Sequence, residues 1–226
     1  MGRQDSLPGP SMHKSGCNLS AGRRTKLNRN VLCWLALIGA LAVTRPAAAQ
    51  NELPAFLAGA AVGLVAHEAG HLIVDALVGA DVDLKKVHAG PIPFFAITHQ
   101  PVTPAREFAI SSAGFWVQHA TNELILTRRP HLRSERAPFI KGLVAFNVGT
   151  SIGYAVAAFV QAGPGERDTR GMAASARIDE PWIGAMVLAP ALLDGARYYR
   201  PDAAWLKWAS RAVKVGGALL IVRAAN

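Results

Sequence analysis

Cysteine is nearly absent: the chain has 226 residues and two cysteines, Cys17 and Cys33, both near the N-terminus. That pair suits neither a metal cluster nor a structural disulfide, so a cysteine-held scaffold is excluded. Aromatic residues make up 7% and charged residues 17%, while 51% of the chain is hydrophobic, so the apolar bulk is Ala, Val, Leu and Gly. Such composition excludes a disordered or collagen-like chain and suits closely packed helices in lipid. Acidic residues are few, 15 against 24 basic, and the formal net charge is +9. No aromatic or Gly-rich recognition motif accompanies that charge, and nucleic acid is not an expected partner. The cations instead flank apolar runs. Arg3, Lys14, Arg23, Arg24, Lys26 and Arg29 precede one, and Arg128, Arg129, Arg133 and Arg136 follow another. Both clusters read as charge meeting anionic lipid at a membrane face and fixing orientation.

What is present in quantity is hydrophobic sequence, with a mean hydropathy of +0.21. The basic N-terminus runs into "VLCWLALIGALAV" (31–43) and "TRPAAAQ" (44–50), the parts of a secretory signal with cleavage after Ala49. An uncleaved signal anchor is the alternative. The segment 54–79 is long enough for a membrane span, with Pro54 suited to its start and Gly79 to its stop. Short β-type runs at 84–89 and 93–99, punctuated by Gly and Pro, predict a hairpin or extended loop. Residues 106–127 predict a helix whose Gln118, His119, Asn122 and Glu123 mark it as amphipathic or protein-buried and not crossing the bilayer. A second span covers 137–161, a polar loop 162–181, and further helices 182–199 and 203–226. The expected architecture is therefore an all-α membrane protein, a bundle of about three to five membrane-embedded helices with a short hairpin after the first. Two regions are expected: 1–49, basic N-terminus and signal, and 50–226, one membrane-embedded domain.

"LVAHEAGHLIVD" (64–75) sets ionisable groups inside the first span. Charge at membrane depth costs several kcal/mol unless paired, metal-bound or wet, which makes these residues functional candidates. On a helix, His67 and His71 lie four apart on one face and can offer two imidazole nitrogens to one zinc ion. Glu68 stands about 100° round the helix, beside the ion, where a carboxylate can take a proton from water. A catalytic zinc site takes three protein ligands and keeps a fourth position open. Asp75, one turn beyond His71, continues the same line along the helix and cannot converge with both histidines. Glu166 and Asp168 in "GPGERDTRG" sit in a polar loop where solvated charge is ordinary. Asp194 in "APALLDGARYY", a lone carboxylate after an apolar run with Pro190 before it and Gly195 after it, is the preferred third ligand. Its structural alternative is an N-cap or a partner for Arg197.

With these residues placed, the chain resembles the site-2 protease family of intramembrane zinc metalloproteases. The resemblance rests on His67, Glu68 and His71 in an apolar helix and on "LLDG" (192–195), with weaker support from "SSAGFWVQHATN" (111–122). It spans residues 54–200. Two positions depart: Ala189, Val187 and Met186 stand where the family pattern has Asn, and Phe115 stands where it has Pro. The resemblance implies zinc held by His67, His71 and Asp194, with Glu68 activating water to cleave a peptide bond. It further implies a membrane-protein or peptide substrate and location in a bilayer, expected to be the bacterial cytoplasmic membrane. A substrate held extended along the 84–99 hairpin is consistent with strand addition. Asn122 and Asn147 are read as interhelical hydrogen-bonding groups in preference to carbonyl-polarising ones. The competing reading is a non-catalytic membrane protein with a structural or vestigial metal site.

Overall fold

A computed structural model of the chain describes residues 52–89 and 92–225, and for 87–89, 92–96 and 220–225 the backbone alone. The signal segment, both cysteines and the 1–49 region lie outside the described residues. Among the described residues six α-helices follow one another: α1 Glu52–Val78, α2 Pro104–Arg128, α3 Pro138–Val160, α4 Asp168–Ala176, α5 Glu180–Tyr199 and α6 Ala204–Ala225. Strands β1 Val82–Ala89 and β2 Ile92–His99 lie between α1 and α2, and a 3-10 turn, Leu132–Ser134, precedes α3. Helices α1 and α3 are long and apolar enough to cross a membrane.

Local chemistry sets these boundaries. Prolines at the first turns of α2, α3 and α5 cost no hydrogen bond there, because those N–H groups have no intrahelical partner. Helix α1 stops at Gly79, whose φ of +71° is open to glycine at little cost, and Ala80 N–H then donates to Asp75 C=O at 2.9 Å. The hairpin is antiparallel, with Val82 opposite His99 and Ala89 opposite Ile92.

Packing directions follow from close contacts. Helices α1 and α3 run parallel, Gly59 against Phe139 and Gly63 against Phe146. A Cβ on Gly59 or on Gly142 would come within 1.9 Å of a backbone oxygen of the other helix, so the two backbones touch where both side chains are absent. Helix α2 runs antiparallel to α1, with Ile110 beside His71 and Gly114 beside His67. Helix α6 runs antiparallel to α2 in turn, with Arg211 at Glu123 and Gly217 at Trp116. The apolar core centres on Phe108, Phe115, Met172, Ile183 and Val187.

Polarity is distributed unusually. His67, His71, Asp75, Gln118, His119, Asn122, Asn147 and Asp194 are buried, while Leu57, Ile73, Leu77, Val156, Phe159, Trp205 and Trp208 are exposed. The protein-buried side expected of α2 is seen at Gln118, His119 and Asn122, which turn into the bundle. One expectation needs correction. Residues 162–181 are not a plain polar loop: they contain α4, and Arg167, Thr169 and Glu180 are buried there.

Candidate metal centre

Helix α1 carries His67 and His71 on the face turned to α2, and both are buried. Small residues make that approach possible. A Cβ on Gly114 would lie 2.4 Å from His67 Cε1, so the imidazole lies flat against bare α2 backbone. Gly70 gives α1 a matching approach to Ala113. Phe115 meets His67 edge-on with ring centroids 5.4 Å apart, and Tyr154 of α3 stacks at 6.0 Å.

The third group is Asp168, the first residue of α4. Its Oδ2 lies 3.1 Å from His67 Nε2 and 3.4 Å from His71 Nε2, and the two Nε2 atoms are 3.3 Å apart. These separations match the edges of a tetrahedron around a zinc ion, about 3.3 Å for bonds of about 2.0 Å. Among the described residues, this is the group of His, Cys, Asp and Glu side chains whose ligand atoms converge closely enough for a metal ion. His71 Nδ1–H donates to the Ile110 carbonyl at 2.7 Å, which orients the ring and turns Nε2 to the other two groups. Two imidazole nitrogens facing one carboxylate oxygen at these distances need a shared proton or a cation between them. Two nitrogens and one carboxylate oxygen fit the donor set of a catalytic zinc site, which leaves the fourth position to water or substrate.

Asp168 is held from several directions. Burial alone would raise its carboxyl pKa, but the charge of His71 and hydrogen bonds from both histidines outweigh it and hold the group below the usual carboxylate range. Next to it, Arg167 donates to both oxygens of Glu180, at 2.6 and 2.5 Å, and Thr169 Oγ1 donates to Glu180 at 2.7 Å. This buried set anchors the start of α4 to the start of α5. Glu166 accepts from Lys85 Nζ of β1 at 2.6 Å, a contact that holds its carboxyl below the ordinary value and ties the hairpin to the loop carrying Asp168. Gly171 packs against Ser111, where a Cβ would meet the hydroxyl at 2.3 Å, and this seats α4 on α2.

The other residues singled out from sequence fall as follows. Glu68 is half-buried on α1 beside the two histidines and outside the converging trio. Asp75 is fully buried one turn further and is not among the converging donors, as the straight-line argument requires. Asp194, the preferred third ligand, is not brought to the histidines. It is fully buried against α6, accepting from Lys214 Nζ at 2.6 Å and Ser210 Oγ at 3.0 Å, with Arg197 at 3.8 Å. The expectation for Asp194 is therefore corrected: a buried ammonium takes its charge, and Asp168 stands where the ligand was expected. Asn147 Nδ2 donates to Asn122 Oδ1 at 2.9 Å, joining α3 to α2.

A scan against protein-family models finds no match for the chain, and searches of curated proteins and of solved structures find none either.

Proposed function

We propose that the chain is a membrane-embedded zinc metalloprotease similar to site-2 proteases, cleaving peptide bonds of membrane-associated proteins. The observation that carries this reading is the convergence of His67, His71 and Asp168 within 4.8 Å of one another, with Glu68 next to His67. Supporting the membrane setting are two helices of spanning length and an exterior of Leu, Ile, Val, Phe and Trp around a polar interior.

In this reading His67, His71 and Asp168 hold the ion. When bound, zinc supplies Lewis acidity for the scissile carbonyl and for the attacking water. Glu68 accepts a proton from that water as its oxygen bonds to the carbonyl carbon. As the C–N bond breaks, Glu68 returns the proton to the leaving amine. His71 keeps its orientation through Ile110, and Phe115 and Tyr154 hold the His67 ring while excluding bulk water from that side. The hairpin next to α1 offers two strand edges on which an extended substrate can pair.

The test is metal content together with cleavage of a membrane-anchored reporter by the detergent-purified full chain. The parent and Glu68→Gln are expected to hold near-stoichiometric zinc, with cleavage at least about 10²-fold slower in the variant. Cleavage by Glu68→Gln at the parent rate, or a parent without zinc, refutes the proposal. A non-catalytic metal site predicts zinc in both proteins and cleavage by neither.

A further inference from the structure

A cavity of about 260 Å³ is lined by residues of α2, α4, α5 and α6, with Phe115, which packs against His67, among its walls. Trp116 and His119 line it from α2, Met172 from α4, Met186 and Pro190 from α5, and Gly216 from α6. No acidic or basic side chain is among its walls, apart from the imidazole of His119.

Two polar groups lie there. His119 is 4% exposed and makes no hydrogen bond with other described residues. Burial, and secondly the nearby charge of Lys214, lower its pKa from 6.5 to about 3, so the ring is neutral and offers one N–H and one lone pair. Lys214 itself is occupied by Asp194 at 2.6 Å and Glu123 at 3.1 Å. The second group is a backbone carbonyl. Pro190 lies inside α5 and has no N–H, so the Met186 C=O one turn earlier loses its helical donor. Both residues line the cavity.

We infer that this cavity binds a neutral single-chain amphiphile, an alkyl chain ending in a hydroxyl, with the chain among the apolar walls and the hydroxyl shared between His119 and the Met186 carbonyl. A carbonyl that has lost its helical donor calls for one on the ligand, which a hydroxyl supplies and a carboxylate or simple ester does not. A carboxylate would also lie unpaired in an apolar enclosure, because the adjacent cations are already taken. At about 30 Å³ per heavy atom, the volume takes about nine atoms of chain. Gly216, which lines the cavity and is exposed, has nothing within 4 Å of where a Cβ would stand, and a Cβ on Gly217 would press on the Trp116 ring at 2.9 Å.

The site is independent of the metal reading. The probe is 6-bromo-1-hexanol, eight heavy atoms long, whose bromine quenches tryptophan at short range, titrated into the detergent-purified full chain. Quenching that is present in the parent and missing in Trp116→Phe isolates the cavity from the exposed Trp182, Trp205 and Trp208. That difference signal is expected to saturate in the parent. The affinity should fall at least tenfold in Gly216→Leu, whose side chain fills open space, and about tenfold in His119→Leu. The carboxylate analogue 6-bromohexanoate should bind at least tenfold more weakly than the alcohol. His67→Ala should bind the alcohol like the parent, so failure here and failure of the metal centre are separately visible. A difference signal that never saturates, that Gly216→Leu leaves unchanged, or that the carboxylate reproduces at equal affinity overturns the inference. Should Gly216→Leu not fold, His119→Leu and the two headgroups decide it alone.

Discussion

Gly114→Ala puts the metal centre under the most direct strain available to a single methyl group. The added carbon would sit 2.4, 2.5 and 2.6 Å from three atoms of the His67 ring. Ordinary carbon contacts are about 3.5–4.0 Å, so ring and helix must part by about 1 Å. The ring has little freedom to give way, with Phe115 at 5.4 Å, Tyr154 at 6.0 Å and His71 at 4.9 Å between centroids. Movement therefore spends the 3.1 and 3.3 Å separations that bring Nε2 to Asp168 and His71. Metal ligands tolerate errors of about 0.2 Å. Zinc affinity is expected to fall by about 10²-fold or more, near 2.7 kcal/mol. The fold suffers less: overpacking costs about 1–3 kcal/mol, and replacing a helical glycine returns up to about 1 kcal/mol. Gly195→Ala is the matched control, in a helix with nothing within 4 Å, and should keep zinc and gain about 0.5–1 kcal/mol. Chelator competition reads the metal affinity, and thermal unfolding followed by circular dichroism reads the fold. Zinc binding by Gly114→Ala within threefold of the parent would refute the geometry.

Asp168→Asn should lower zinc affinity by about 3–5 kcal/mol, its share of a three-ligand site, as measured by the same competition. Asp194→Asn should retain zinc but lose about 3–5 kcal/mol of stability in thermal melts, because Lys214 stays buried without its closest anion. Glu123 gives a pH signature. Its burial would raise the pKa, but hydrogen bonds from Arg211, Arg197 and Lys214 lower it from 4.5 to about 2. A depressed acid stabilises the fold above its unfolded pKa, so a contribution on the order of 2–3 kcal/mol should disappear as pH falls from about 4.5 through about 2. Glu123→Gln should flatten that part of a melting-temperature profile, and an unchanged slope would rule it out. Gly59→Leu should destabilise the α1–α3 pair by at least about 3 kcal/mol, whereas Gly153→Leu, with open space around it, should change thermal stability by less than about 1 kcal/mol.

The first long helix, the hairpin and the pair His67–His71 could be read from sequence because each depends on local spacing: hydropathy over a turn, Gly and Pro punctuation, an interval of four. Asp168 could not. In "AGPGERDTRG" its neighbours look like solvated loop charges, and the partner that buries Arg167 and Thr169 is Glu180, 13 and 11 residues on. Asp194 misled for the mirror-image reason. It looks solitary after an apolar run because Lys214 and Ser210 lie 20 and 16 residues further, on the separate helix α6. Lone pairs of opposite charge far apart in sequence carry no local signal, so the choice between ligand and ion-pair partner is settled by tertiary placement. The basic segment 128–136 teaches the same lesson, since α2 returns along α1 and sets Arg136 within 3.9 Å of Glu52, at the first turn of α1.

His67 and His71 are four residues apart, while His67 and Asp168 are separated by 101. An isolated α1 therefore displays two thirds of the donor set and the remainder arrives only when α2, α3 and the anchored α4 have closed around it. Metal retention thus doubles as a census of the finished molecule. On the proposed zinc reading, a nicked, truncated or misassembled chain would keep its helices in a spectrum and still fail to hold the ion.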